Sequence, residues 1–374
     1  MKNFLNIFAI LTILAITIMM AIEGTLGIRL HATPLFWTFA MILMLVLAYA
    51  VVIGIKKRKS IGSIASHAGL LMICAGAFFG APQFQQGMVI AGKDYKENVA
   101  ISPEGMAIQL PFLIQLEDFR TDYYDDGTSP RQYTSVLRLD DITKETSVNH
   151  PCYYKGYFLY QSDFDREAGR YSVIKAVSDP WFPLIALGMI LLAIGAFCNL
   201  GMNWKSTYLS IAVVLVAILF TVLSIYRINF GTLVPVLRSW WFVPHLVMYM
   251  IAYSALAIAL VLAILDMAGV GKGRLEKMVS KLFTTGSSLL LLGMLCGSAW
   301  AKAAWGDWWM WDAKECWAAV TWLLTLCGMH LPHNMPRRKA AVLASIIISF
   351  AAMQMAWYGV EHVPAAKTSM HTYK

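Results

Sequence analysis

Apolar residues run along this chain in nearly unbroken stretches of about 20, the length that crosses the hydrocarbon core of a bilayer as a helix. Such stretches lie near 4–22, 35–55, 62–81, 181–199, 207–226, 243–265, 282–301, 315–331 and 341–359, which predicts about nine transmembrane helices. The first has the length of a signal peptide, but no small-residue cleavage site follows it and further spans do, so it reads as a retained helix. Between 82 and 180 the pattern changes. Alternating runs at 109–119, 132–139, 156–161 and 170–176, with the turn signal Asp125-Asp126-Gly127 among them, predict strands. The fold class is therefore an all-α polytopic membrane protein carrying one small β-rich domain.

Composition agrees with this pattern. Of 374 residues, 58% are hydrophobic and only 14% charged, too apolar a balance for a soluble protein. The net charge of +8 could point to nucleic acid, but Lys56-Lys57-Arg58-Lys59 and Arg337-Arg338-Lys339 each follow an apolar span directly. They read as anchors on the cytoplasmic side, and no nucleic-acid partner is expected. With the basic connections 56–61, 266–281 and 332–340 all inside, the spans alternate so that the N-terminus is inside and the C-terminus outside. The block 82–180, the loop 227–242, the segment 302–314 and the tail from 360 then share the outer face. No cysteine pair has CxxC spacing, so redox work is assigned to a partner.

Two kinds of side chain stand out on this frame. Six tryptophans fall within the eighteen residues from Trp305 to Trp322, in Trp305-Gly306-Asp307-Trp308-Trp309-Met310-Trp311-Asp312-Ala313-Lys314-Glu315-Cys316-Trp317 and just beyond. An interfacial aromatic belt usually supplies one or two residues per helix end, so this density also suggests a planar ligand. Asp312 and Glu315 have the spacing of a helix-capping pair, a local role compatible with a place in a site. His67 and His330 lie within spans near the cytoplasmic ends, where an ionisable group is a candidate functional residue. A neutral histidine bonded to a neighbouring helix would explain either one alone. Gly76 and Gly80, on the span of His67, have the small-residue spacing that lets helices approach closely.

His245 and His371 are external and flank the tryptophan segment, as bis-imidazole ligation of a haem iron would require. His31, His150, His333 and His362 read as loop residues, with His333 and His362 as alternates close to a proposed ligand. Glu315 to His330 is fifteen residues of one helix, or roughly 22 Å, so one haem cannot touch both groups. An inner pair and an outer pair suggest translocation between two stations.

The segment Trp305 to Glu315 resembles the WWD motif, WGxxWxWDxxE, of haem-handling proteins of cytochrome c biogenesis. Ser239-Trp240-Trp241-Phe242-Val243-Pro244-His245 and the stretch Gly359-Val360 to His371-Thr372-Tyr373 resemble the histidine segments before and after that motif in CcsA. Upstream, Leu110-Pro111-Phe112 to Arg120, Val148-Asn149-His150-Pro151 and Tyr154-Lys155-Gly156 to Ser162 resemble the external domain of CcsB, also called ResB. The chain is thus similar to fused CcsBA-type, System II cytochrome c synthases. The external domain is shorter than in many relatives, and the CcsA-like half has fewer spans.

The resemblance implies 1–81 as CcsB-like membrane helices, 82–180 as the external domain, 181–199 as the last CcsB-like helix and 200–374 as a CcsA-like domain. It implies export of haem b across a bacterial cytoplasmic membrane and covalent attachment to the CxxCH cysteines of an apocytochrome c, a haem lyase reaction on the extracytoplasmic face. His67 and His330 would ligate the inner haem. His245 and His371 would ligate the outer one on a platform of Trp305, Gly306, Trp308, Trp309, Trp311, Asp312 and Glu315, with no protein nucleophile. A thiol-reducing, thioredoxin-like partner is expected, and Arg238, Lys302 and Lys314 are candidates for the propionates. The rivals are a haem exporter or chaperone serving a separate lyase, and a polytopic transferase acting on a lipid-linked substrate.

Overall fold

A computed structural model describes residues 2–200, 212–213, 215–219, 230–270, 275–331, 335 and 337–368. Most of the predicted span 207–226, together with His333 and His371, lies outside these residues. Eight long helices are described: α1 (Lys2–Leu26), α2 (Pro34–Lys56), α3 (Ile61–Gly80), α4 (Phe182–Leu200), α5 (Phe242–Met267), α6 (Leu275–Trp305), α7 (Ala313–Met329) and α8 (Arg338–Trp357). All but α7 are long and apolar enough to cross a membrane, making 7 such helices among the described residues. Their starts follow local chemistry. The Thr33 hydroxyl accepts from Phe36 N at 3.3 Å ahead of Pro34, and Ser60 accepts from Ser63 N at 3.3 Å.

Helix α7 has only 17 residues, and none of them is exposed. Ala319, Val320, Leu323 and Cys327 join one core with Ile13, Ile16, Met19 and Met20 of α1, Phe36, Leu43 and Leu47 of α2, and Tyr253 and Leu256 of α5. Apolar residues on α7 thus bury against protein, while α2 and α4 turn residues such as Leu45, Val52, Ile190 and Phe197 outward.

A stripe of small residues joins α3 to α4. A Cβ on Gly69 would stand 2.6 Å from Gly188 O and 2.7 Å from Leu192 N, and one on Gly195 would meet Ser66 Oγ at 2.1 Å. Gly76 and Gly80 continue this face against Ile185 and Trp181, the close approach expected from their spacing. It fixes the rotation of α3. His67, two residues before Gly69, is turned roughly 200° away from α4.

Between α3 and α4 the chain forms one antiparallel eight-stranded sheet in the order β5-β4-β3-β2-β1-β8-β7-β6. The strands are β1 (Gln85–Gly92), β2 (Glu97–Ile101), β3 (Ala107–Tyr123), β4 (Pro130–Leu139), β5 (Ile142–Ser147), β6 (Cys152–Tyr154), β7 (Tyr157–Phe164) and β8 (Tyr171–Ser178). The four expected runs fall in β3, β4, β7 and β8, and Asp125-Asp126-Gly127 turns the chain from β3 to β4. Alternation in β3 sends Leu110, Phe112, Ile114 and Leu116 into a core with Leu137, Leu139, Leu159 and Ile174. The sheet curls onto itself. Ser135 Oγ meets Gln161 Oε1 at 2.6 Å and Ser172 Oγ at 2.8 Å, and Thr146 donates to Leu159 O at 2.7 Å.

Charged and polar contacts bind this sheet to the helices. Lys302, near the end of α6, bonds Asp179 at 2.7 Å and Gly306 O at 2.9 Å, with both charged side chains only 6% exposed. Lys175 of β8 bonds Asp307 at 2.5 Å and Trp305 O at 2.8 Å. Gly306, at φ 85°, presses its Cα against Val177 and Tyr160, leaving no room for a side chain. Burial, with the carboxylates of Asp307 and Asp179 nearby, pushes the Tyr160 phenol up, so it stays neutral. Asn149 donates to the carbonyls of Pro235 and Val236 at 3.0 and 3.1 Å, and the Tyr124 hydroxyl donates to Leu233 O at 2.9 Å.

Replacing Gly69 by leucine forces α3 off α4 and lowers stability by about 1–3 kcal/mol; thermal unfolding in detergent, with Gly69→Ala as the milder change, measures it. Asp179→Ala leaves Lys302 buried without its counter-charge and costs roughly 3–5 kcal/mol, whereas the double change Asp179→Ala with Lys302→Met recovers most of that loss in the same measurement.

Candidate functional site

The inner histidines meet. His67 on α3 and His330, the residue that caps the end of α7, have ring centroids 6.1 Å apart with planes at 78°. In each ring Nδ1 approaches the carbonyl one helical turn back, Ser63 O at 2.6 Å for His67 and Leu326 O at 2.8 Å for His330. A carbonyl only accepts, so Nδ1 carries the hydrogen and the lone pair sits on Nε2. Among the described residues neither Nε2 has a hydrogen-bond partner. An iron bonded to two imidazoles at ~2 Å holds their ring centres about 6 Å apart, so this pair fits bis-imidazole ligation in spacing and in tautomer.

At the other end of α7 the backbone does something unusual. Trp311 adopts φ 59°, a left-handed conformation that a bulky residue takes only when its surroundings hold it there. Asp312 caps the helix, accepting from Glu315 N at 2.9 Å as its spacing predicts. Glu315 reaches back past the cap position to Met310 N at 2.7 Å, because the reversal at Trp311 brings that amide within range. The Cys316 thiol donates to Trp311 O at 3.5 Å.

The tryptophans of this segment face different neighbours. Trp305 lies 5.9 Å from Trp300, Trp308 stacks on Phe182 at 5.2 Å with Lys302 5.5 Å above its ring, and Trp309 packs on the helical core. Trp311 stacks on His31, with centroids 4.4 Å apart and planes at 8°, and takes the edge of Phe36 at 5.3 Å. Gly306, Asp312 and Glu315 set the path of the backbone between these rings.

His245 stands in the first turn of α5, where Nδ1 bonds Gly293 O at 2.8 Å. Gly297 makes space for it, since a Cβ there would come within 2.9 Å of Nδ1. Tyr249 and Trp300 present their rings at 4.7 and 6.1 Å. His371 lies outside the described residues. The chain leading to it leaves from the mouth of α7, because Val360, Val363 and Ala365 pack on Ala313 and Trp317. His362 sits exposed in that turn. Of the three cations considered for an anionic ligand, Lys302 is bound to Asp179, Arg238 donates to Arg131 O and lies 5.8 Å over Tyr124, and Lys314 is half-buried in the first turn of α7.

One neighbour of the tryptophan segment did not stand out in the sequence. His31 lies in the loop between α1 and α2, as its surroundings suggest, yet its ring covers Trp311. Glu23 of α1 accepts from both its Nδ1 and its backbone N, the latter at 3.0 Å. The available signal was Glu23 itself, a carboxylate within the last turns of an apolar helix and only 5% exposed.

Known proteins share these features. Residues 178–365 match the family model described as Cytochrome C assembly protein, and residues 57–174 match the ResB-like family. The chain is similar to proteins named "Cytochrome c biogenesis protein CcsA". That of Synechococcus sp. (strain WH7803) is 29% identical, over 30% of this chain and 51% of the relative. Those of Chlamydomonas reinhardtii and Prochlorococcus marinus (strain AS9601) are 30% and 29% identical, each over 38% of this chain and over 42% and 57% of their own lengths. The chain thus spans about half the length of these relatives. Two family matches that follow one another in a single polypeptide fit a fused CcsBA-type protein, and on the match from 178 to 365 the chain belongs to the cytochrome c assembly protein family.

Proposed function

We propose that this protein takes part in cytochrome c maturation by carrying haem b across the bacterial cytoplasmic membrane and joining it to the CxxCH cysteines of an apocytochrome c on the outer face. The observation that carries this reading is the His67–His330 pair, two imidazoles from opposite halves of the chain at the spacing one iron demands. The basic connections, read as cytoplasmic, support an inner position for that pair and an outer one for the tryptophan segment. The names of the CcsA relatives support the part in cytochrome c maturation.

Haem is the substrate. It is held first by His67 and His330, and then at the Trp305 to Glu315 segment by His245 and by His371, which lies within about 20 Å of chain beyond Ala365. Each cysteine S–H of the apocytochrome adds across one vinyl group: sulfur bonds the carbon next to the ring, hydrogen goes to the terminal carbon, and nothing is oxidised or reduced overall. The substrate thus supplies both nucleophiles. The protein positions haem against the CxxCH segment, excludes water and surrenders one iron ligand to the substrate's histidine. A separate thiol-reducing, thioredoxin-like partner keeps the cysteines reduced.

Expressed in a bacterium stripped of its own maturation system, the chain should attach haem covalently to a CxxCH reporter, seen as haem staining that survives denaturation. Haem-loaded protein with an unmodified reporter would point to an exporter that serves a separate lyase. Purified protein should show a low-spin bis-imidazole spectrum. His67→Gly or His330→Gly should cut its haem content at least tenfold, and His245→Gly or His371→Gly should lose the outer-site spectrum until free imidazole is added.

A further inference from the structure

Helix α7 has a candidate haem station at each end. The seam between them runs along α1, whose Ile13, Ile16, Met19 and Met20 share one core with Ala319, Val320, Leu323 and Cys327 of α7, together with Leu43 and Leu47 of α2 and Tyr253 and Leu256 of α5. At its inner end stand His67 and His330. At its outer end stand His31 and Trp311.

The setting of His31 is that of a metal-binding imidazole. A carboxylate holds Nδ1, which fixes the tautomer, keeps the lone pair on Nε2 and makes that nitrogen a stronger donor to a metal. The same carboxylate takes the backbone N–H at 3.0 Å, so the ring cannot swing while Glu23 stays in place. Glu23 is 5% exposed and His31 is 23% exposed, so the anchor is buried and the ring still reachable. Nε2 has no hydrogen-bond partner among the described residues. Stacking on Trp311 sets the ring at the edge of the segment whose tryptophans suit a porphyrin.

We propose that His31 is a third iron-ligating imidazole of the outer surface, oriented by Glu23, which receives haem from the seam before His245 and His371 bind it. This rests on the haem-carrying reading above. The step is a ligand exchange at iron in two stages: the Fe–N bonds to the inner pair break, haem moves along the seam, and an Fe–N bond to His31 then forms, with no electron or proton changing hands.

The test uses full-length protein purified without haem and titrated with ferric haem. With His67, His330, His245 and His371 all replaced by glycine, His31 remains as the proposed ligand. This variant should bind haem with a five-coordinate, single-imidazole spectrum that free imidazole converts to the six-coordinate form. Adding His31→Gln, which can still hydrogen-bond Glu23 but is a poor iron ligand, should raise the apparent Kd at least tenfold and remove that spectrum. His31→Tyr should give a tyrosinate-ligated spectrum, and Glu23→Gln should weaken binding several-fold. Thermal unfolding of each variant checks that it remains folded. If the His31→Gln and His31→Tyr proteins are folded and their spectra match that of the His31 protein, His31 is only a clamp on Trp311 and the proposal fails. Unaltered protein that takes up no haem at all would instead overturn the haem-carrying reading.

Discussion

The rise of a single buried helix sets the scale of this molecule. With 17 residues, α7 separates Asp312 from His330 by about 27 Å, with the His67–His330 pair at one end and Trp311 at the other. No rotamer change closes that distance. A ligand held at the inner pair must therefore travel along α7 to reach the tryptophans, and the side chains beside it come from α1 and α2 as well as from the C-terminal half. A helix this short serves because its neighbours, rather than lipid, surround most of its length.

The sheet has a mechanical part in this. Its bonds to the helices converge on the segment from Lys302 to Asp307 and on the loop before α5, the two stretches that lead to the tryptophans and to His245. A lysine buried beside an aspartate is weak evidence for stability, because desolvation consumes most of the Coulomb attraction. It is better evidence for geometry. Once buried, Lys302 tolerates few arrangements other than the one that pairs it, so Gly306 and the tryptophans after it are placed relative to β8. The strained backbone at Trp311 persists for a similar reason, with Glu315, Cys316 and His31 each holding part of it.

Much of the candidate site could be read from the chain because such side chains are costly in apolar surroundings. Histidines inside apolar spans, a density of tryptophans beyond any belt and a D-x-x-E pair ahead of an apolar run each stand out locally. His67 and His330 were found that way and lie together. The strands β1, β2, β5 and β6 were not anticipated. They are short, glycine-containing or polar, and their burial comes from pairing with strands distant in sequence. His31 looked ordinary for the same kind of reason, since its setting depends on Glu23 in the preceding helix and on Trp311 near the other end of the chain.

By itself the sequence determined the class of the fold, the apolar runs, the sheet between α3 and α4, and the candidate histidines and tryptophans other than His31. These follow from hydropathy, periodicity and side-chain chemistry, which are local properties. Tertiary structure alone decided which groups face one another. The glycine stripe that docks α3 on α4 turns His67 toward α7, and the ion pairs from β8 fix the tryptophan segment. The buried Glu23 carboxylate carries an inconspicuous histidine onto Trp311. Rotation and register of packed elements depend on contacts between residues far apart in sequence, and no window along the chain contains both partners.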